Sequence, residues 1–439
     1  MRKLNIKDKL KDVNKSAFVK NAMTLTTGTA IAQILPLLIY PFLSRLYSPE
    51  QFALLAAYTS FVSILVAFVS GRYESAVFIA DNEKEAVSLV YLSLYLPLFL
   101  LVCLTPFFLF FNDAIGSYLS LKPLKGWVWY CFIASFLITV FNVYNEWCVR
   151  KEYFRRLSYN KITNSIGLTV GKIGFFYTLL SKIGLVVGDF VGRLLTAIMC
   201  FFRFYKYDRN SFGNIHFKDL LHVAKKYKEF PLYNMPAQLL NTIGVSIPVF
   251  LLASFYETEH VGYYSMTMTI LMLPVNIISL SIRDVFRKKA NDIYIKEGNY
   301  ESFFKRMLLI LLFASVLVAV LCYPFLPFAF KLVLGEQWYT SGLFAQYMTP
   351  MIVFDFVAMS LSGSLIVSQK LKVNFVWQVY YILITIVSLI VGVKLFDNIN
   401  NTIILFSLGR CSAYILLIIL SFKASRSSVK LIDNESKNS

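Results

Sequence analysis

Five ionisable residues, Lys172, Asp189, Arg193, Asp355 and Arg410, stand inside long apolar runs, and Arg72, Glu74 and Glu146 stand near the ends of such runs. Burying a charge in hydrocarbon costs about 3 kcal/mol even on lenient scales, so such groups face a cavity or one another. Asp189 and Arg193 are four residues apart and are expected to pair on one helix face. Lys172, Asp355 and Arg410 have no local partner in sequence, which predicts that they line an electropositive, hydrated cavity, the alternative being an interhelical ion pair that holds the bundle together. Arg72 and Glu74 are followed by Ala76, Val77, Phe78, Ile79 and Ala80, so their helix is expected to continue and hold them below the surface. Catalytic chemistry has no comparable constellation. His216, His222 and His260 fall in predicted loops, no HExxH, GxSxG or Walker sequence occurs, and the six cysteines show no CxxC spacing. Neither an enzyme, a metal site, a disulfide framework nor direct use of ATP is expected.

The elements that must position these charges follow from composition. Of 439 residues, 57% are hydrophobic and 15% charged, with mean hydropathy +0.61. A soluble domain carries about 45–50% apolar and about 25% charged residues, so the chain is read as an all-α integral membrane protein, without room for an appended soluble domain. Runs of about 20 apolar residues predict about twelve spans: 19–43, 51–79, 86–111, 127–148, 158–180, 183–205, 232–256, 261–283, 305–329, 343–367, 373–396 and 400–422. Each must be helical, because hydrocarbon cannot satisfy backbone amides.

The net charge of +18 could suggest a nucleic-acid partner, but its distribution excludes one. With the N-terminus placed in the cytoplasm, only Arg45, Lys122, Lys125, Lys182, Lys331 and Lys394 face the opposite side, and most of the other basic residues cluster in cytoplasmic segments. The positive-inside rule therefore predicts that both termini are cytoplasmic. The expected organisation is a basic tail over 1–18, a six-helix bundle over 19–206, a basic connector over 207–230, a second six-helix bundle over 231–422 and a tail over 423–439. Ile6, Leu10, Val13 and Ala17 recur at helical spacing among lysines. Either a short amphipathic helix on the anionic leaflet or a solvated tail fits that pattern.

An offset of 209 residues places Tyr47 on Tyr256, Glu50 on Glu259, Phe52 on Val261, Ala53 on Gly262 and Glu74 on Arg283, beside Asp284. Six spans separate the copies, so the halves share one orientation and are pseudo-symmetric about the membrane normal. Such parallel halves are found in transporters, with a site expected where they meet. Pro36 and Pro41, Pro236 and Pro248, and Pro274 interrupt spans one, seven and eight and favour kinks. Gly184, Gly188 and Gly192, with Gly167 and Gly171, form small-residue faces that permit close helix packing.

Several segments carry a family resemblance: GTAIAQILPLLIYPFLSRLYSPEQFA (28–53), GRYESAVFIADNEKEA (71–86), GLVVGDFVGR (184–193), FPLYNMPAQLLNTIGVSIPVFLL (230–252) and VGYYSMTMTILMLPVNIIS (261–279). They resemble the Wzx-type polysaccharide flippase family, the O-antigen and capsule repeat-unit translocases of the multidrug/oligosaccharidyl-lipid/polysaccharide exporter superfamily. Ala53 stands where that family usually has glycine. The resemblance implies flipping of an undecaprenyl-pyrophosphate-linked oligosaccharide across the bacterial inner membrane by alternating access. No cofactor is implied, and coupling could come from protons, sodium or the membrane potential. The implied partners are the lipid-linked substrate, the bilayer, and the polysaccharide polymerase and chain-length regulator of O-antigen (lipopolysaccharide) or capsule synthesis. On this reading Arg72, Lys172, Arg193 and Arg410 neutralise the pyrophosphate headgroup, because charge-assisted hydrogen bonds suit phosphate oxygens. Glu74, Asp189 and Asp355 would couple to an ion or hold the basic residues. A multidrug or small-solute cation antiporter of the same superfamily is the alternative. A membrane polymerase or ligase is disfavoured because the longest outer links, 112–126 and 330–342, are short.

Overall fold

The computed structural model describes residues 27–111, 129–178, 180–213, 215–368 and 370–426. The amphipathic tail expected over 1–18 and the tail beyond Arg426 lie outside them. The described residues contain helices and no strands, and eleven helical stretches are long and apolar enough to cross a membrane. They divide into two compact units between Thr242 and Ile243.

The first unit begins with α1 (Thr27–Leu46) and α2 (Pro49–Val69). Proline at the start of α2 fits because that position needs no amide donor, and the Ser48 amide donates to Gln51 Oε1 at 2.9 Å. There follow α3 (Glu83–Phe110), α4 (Trp129–Arg150), α5 (Phe154–Phe176), α6 (Gly184–Tyr207) and the short α7 (Phe217–Lys226). Asn82 caps α3 by accepting from the Glu85 amide at 2.9 Å. α5 is long enough to span the expected 158–180 segment but is not among the eleven apolar stretches. Arg155, Arg156, Lys161 and Lys172 lower its apolarity.

One expectation is overturned here. The helix carrying residues 51–69 does not continue through Arg72. It stops at Val69, and Gly71 and Arg72 both take left-handed backbone conformations, with φ of +55° and +59°. A 3-10 turn over Tyr73–Ala76 follows. The apolar run predicted a helix because composition does not report backbone conformation; Ala76, Val77 and Ala80 are buried in an irregular segment, with Phe78 and Ile79 exposed, and its carbonyls find another donor. Arg150 supplies it: Nη1 donates to the carbonyls of Val77 (3.1 Å), Phe78 (3.3 Å) and Ala80 (2.8 Å), and Nη2 to that of Asn82 (3.1 Å). Buried backbone groups require such partners.

α7 occupies the segment expected to be a plain connector. Its Val223, with Tyr227 just beyond, enters a core formed by Leu89, Val90, Tyr144 and Trp147. Helix α8 (Met235–Phe255) follows a π turn over Phe230–Asn234, and the unit boundary falls within it.

In the second unit, α9 (Thr258–Glu297) runs unbroken for 40 residues, beyond the expected 261–283. At 1.5 Å per residue it is about 60 Å long, twice the hydrocarbon thickness. α10 (Glu301–Cys322), α11 (Leu326–Leu334), α12 (Tyr339–Leu361), the short α13 (Gly363–Val367), α14 (Leu371–Leu395) and α15 (Ile399–Ser425) complete the unit. α12 is its centre, packed against both α9 and α15.

The internal repeat is visible in the links. α1 ends at Leu46 and α2 starts at Pro49; α8 ends at Phe255 and α9 starts at Thr258. Both pairs of boundaries differ by the 209 residues of the sequence offset. The five prolines predicted to interrupt spans all lie within helices, with Pro236 in the first turn of α8 rather than its interior.

Candidate functional site

In the first unit the small-residue faces of α5 and α6 create the charge cluster. A Cβ placed on Gly188 would lie 2.5 Å from the Gly171 carbonyl carbon, and one on Gly192 would lie 2.7 Å from Gly167. Only hydrogen fits at such a backbone contact, so the helices approach closely. The neighbours of those glycines in sequence are thereby brought together: Lys172 follows Gly171, and Asp189 follows Gly188.

Asp189 is fully buried and takes two cations. Arg193 Nε lies 2.5 Å from its Oδ2 and Lys172 Nζ 3.2 Å from its Oδ1. The expected Asp189–Arg193 pair is present. Lys172, which has no acid near it in sequence, is paired across helices, the alternative to cavity-lining. The Lys172 and Arg193 side chains remain 15% and 19% exposed, so two cations against one carboxylate leave one formal positive charge at a partly accessible edge. The hydroxyl of Tyr58, from α2, is buried beside Asp189 and Arg193. Tyr47 donates to the Lys172 carbonyl at 2.6 Å, fixing the α5 backbone beside the cluster.

Arg72 and Glu74 sit in the break after α2. Their side chains meet at 3.3 Å, with Glu74 buried and Arg72 partly exposed. Glu74 Oε2 and Arg72 Nε are buried without a hydrogen-bond partner. Burial pushes the Glu74 carboxyl above the usual carboxylate range, against the opposing pull of Arg72. Glu146 contributes a second negative field there. Lys161 donates to Thr29 Oγ1 at 3.0 Å.

The second unit holds its charges differently. Arg410 Nη2 donates to the Gly244 carbonyl at 2.7 Å, and the guanidinium lies 4.0 Å from the Tyr381 ring centroid and 5.2 Å from that of Phe406. Its Nε is buried without a hydrogen-bond partner. Asp355 is buried on α12, and Tyr414 interacts with both Asp355 and Arg410. Arg410 and Asp355 are both buried, with a carbonyl, two rings and the Tyr414 hydroxyl around them and each in the other's electrostatic field. Two grooves among the described residues, of about 500 Å³ against α5 and α6 and about 440 Å³ along α9, α10 and α12, have mostly apolar walls. None of the seven candidates lines either groove.

Sequence reasoning missed Arg150, Tyr381, Tyr414 and the acceptor role of Gly244. Arg150 looked like one more basic residue at a helix end, and a backbone carbonyl leaves no trace in residue type.

The two pseudo-repeated helical units share their fold with solved transporters of the MOP superfamily. A multidrug resistance MATE family transporter of that superfamily, in an inward-facing conformation, is 16% identical, with 90% of this chain and 93% of that one covered, at a TM-score of 0.70. The lipid II flippase MurJ, in an inward closed conformation, is 14% identical over 93% of this chain and 90% of its own, at 0.71. A MOP superfamily transporter from Pyrococcus furiosus, described as having a binding pocket of reverse polarity, is 15% identical over 93% and 95%, at 0.60. No curated protein matches the chain by sequence. Residues 18–286 match the family described as polysaccharide biosynthesis protein, and the chain belongs to that family.

Proposed function

We propose that this protein flips an undecaprenyl-pyrophosphate-linked oligosaccharide from the cytoplasmic to the outer leaflet of a bacterial inner membrane, by alternating access and with both termini in the cytoplasm, for O-antigen or capsule synthesis. The observation that carries the reading is the family match over 18–286, joined to buried charge in a transporter fold. Sugar hydroxyls cost about 0.5 to several kcal/mol each to desolvate unpaired, so unaided flipping is negligibly slow. Lys172 and Arg193 supply a partly accessible positive edge suited to pyrophosphate. Arg72 adds a second in the same unit. Arg410 is a buried cation without a carboxylate at salt-bridge distance among the described residues. Asp189 has the role of charge partner, while Asp355 and Glu74, each without two cations on it, are the groups suited to ion coupling. Against the cation-antiporter alternative, the most accessible charge in the first unit's cluster is positive, with Asp189 engaged by two basic side chains.

The test is deletion of the gene and complementation with Lys172→Ala or Arg410→Ala. The reading expects loss of surface polysaccharide and accumulation of cytoplasm-facing lipid-linked repeat units, with protein levels in the membrane unchanged. Normal surface polysaccharide after deletion would overturn the function. Normal polysaccharide in both variants would remove the two residues from the headgroup site.

A further inference from the structure

We propose that α7 is an interfacial helix whose free face binds anionic phospholipid headgroups. The helix is anchored on one side by Val223 and Tyr227 in the core, and by ion pairs from Lys226 Nζ to Asp81 (2.6 Å) and Glu85 (2.7 Å). Its single acid, Asp219, is held by Lys84 at 2.7 Å. The opposite side carries Phe217, 71% exposed, and Leu221, 55% exposed, flanked by the exposed Lys218, His222, Lys225 and Lys228. At about 100° per residue the five of these within the helix lie in a continuous arc of about 140°, with Lys228 just past its end.

Two large apolar side chains in water beside a row of lysines is the pattern of a helix lying in a headgroup layer. The chain dictates the same location. α7 is bounded by the apolar stretches Ser181–Tyr207 and Phe230–Phe255, each long enough to span a bilayer. The link 227–229 can reach only about 10 Å, so α7 cannot leave the membrane surface. Charge selects the lipid: each lysine near an anionic surface contributes about 1 kcal/mol, which is about fivefold. The inference depends on the membrane spans and not on the transported cargo, so the failure of either proposal leaves the other standing.

The full-length chain in nanodiscs of phosphatidylcholine alone, or with about 30 mol % phosphatidylglycerol, tests it by amide hydrogen exchange. Lipid that binds the docked helix opposes its local opening. The α7 amides should exchange at least about fivefold more slowly in the anionic discs. Raising salt to about 1 M, where screening acts within about 3 Å, should erase the difference. The combined Lys218→Glu, Lys225→Glu and Lys228→Glu variant should lose it, while α4 and α6 amides exchange as in the unaltered chain. If those core amides also exchange faster, the variant is misfolded and the salt comparison on the unaltered chain decides. Equal α7 exchange in both discs overturns the proposal, as does a difference that survives 1 M salt. Protection that arises only on adding an acidic protein to phosphatidylcholine discs also overturns it and assigns the face to a protein partner.

Discussion

The α5–α6 pair of the first unit and the α14–α15 pair of the second each carry an arginine inside the span of their second helix, Arg193 half-buried and Arg410 buried, yet they compensate it by different means. Arg193 has Asp189 at 2.5 Å, with Lys172 on the same carboxylate. Arg410 has a backbone carbonyl and two aromatic rings. The packing beneath them differs in the same sense. α5 and α6 touch backbone to backbone through glycines, whereas a Cβ on Gly409 would meet the Ser388 side chain at 2.8 Å. Close backbone approach lets short and long charged side chains meet across two helices. Where a side chain such as Ser388 stands at the contact, Arg410 finds a carbonyl and rings instead. The first unit therefore holds an ionic cluster of two cations on one carboxylate, and the second a cation whose direct contacts are a carbonyl and two rings, and substitutions should affect them unequally.

The largest difference is expected between Asp189→Asn and Asp355→Asn. The first strands two cations and should cost about 3–5 kcal/mol, the usual result of removing one partner from a buried ion pair. The second weakens an interaction with Tyr414 and the field on Arg410, with no salt bridge to break, and should cost about 1 kcal/mol. Thermal unfolding of the purified proteins, followed by tryptophan fluorescence, measures both. Equal losses would erase the contrast.

Packing gives a smaller effect. Gly188→Ala forces backbone apart and should cost about 1–3 kcal/mol, as overpacking does, and should also weaken the Lys172–Asp189 contact. Gly409→Ala meets a small side chain and should cost less. Comparing the two midpoints sharpens the contrast, and a more damaging Gly409→Ala would reverse it.

The smallest effect is a pH signature around the break after α2. Burial raises the Glu74 carboxyl, so its ionised form costs stability; that cost is absent below the ordinary carboxylate value of about 4.3 and appears as pH rises through the raised one. Asp81 has the opposite sign. Its hydrogen bond from Lys226 depresses its carboxyl, so its contribution is present above the ordinary value and lost as pH falls through the depressed one. Glu74→Gln should thus raise the relative midpoint at neutral pH and flatten the acid side, while Asp81→Asn should be felt only at neutral pH and weakly, being exposed and screened by salt. Midpoints across pH 4–8 in low and high salt check both.

Several of these features were legible in residue order alone. Apolar runs marked the spans, the 209-residue offset located both two-residue links, and the spacing of Asp189 and Arg193 gave their pairing. Lys172 was not legible in the same way, because its partner is 17 residues away on another helix and only the glycine contact brings them together. The Arg72 segment misled for a different reason. Apolar composition looks the same whether a stretch forms a helix or a turn whose carbonyls are held by Arg150 from a distant helix.

By itself the sequence determined that this chain lives in a bilayer, as helices, in two related halves, because hydrophobicity, backbone hydrogen bonding and repeat register are properties of consecutive residues. Tertiary structure alone decided which charges are neutralised, by whom, and where a helix stops. Those depend on distances between residues far apart in the chain, and a few ångströms of backbone approach separate an ion pair from an isolated charge.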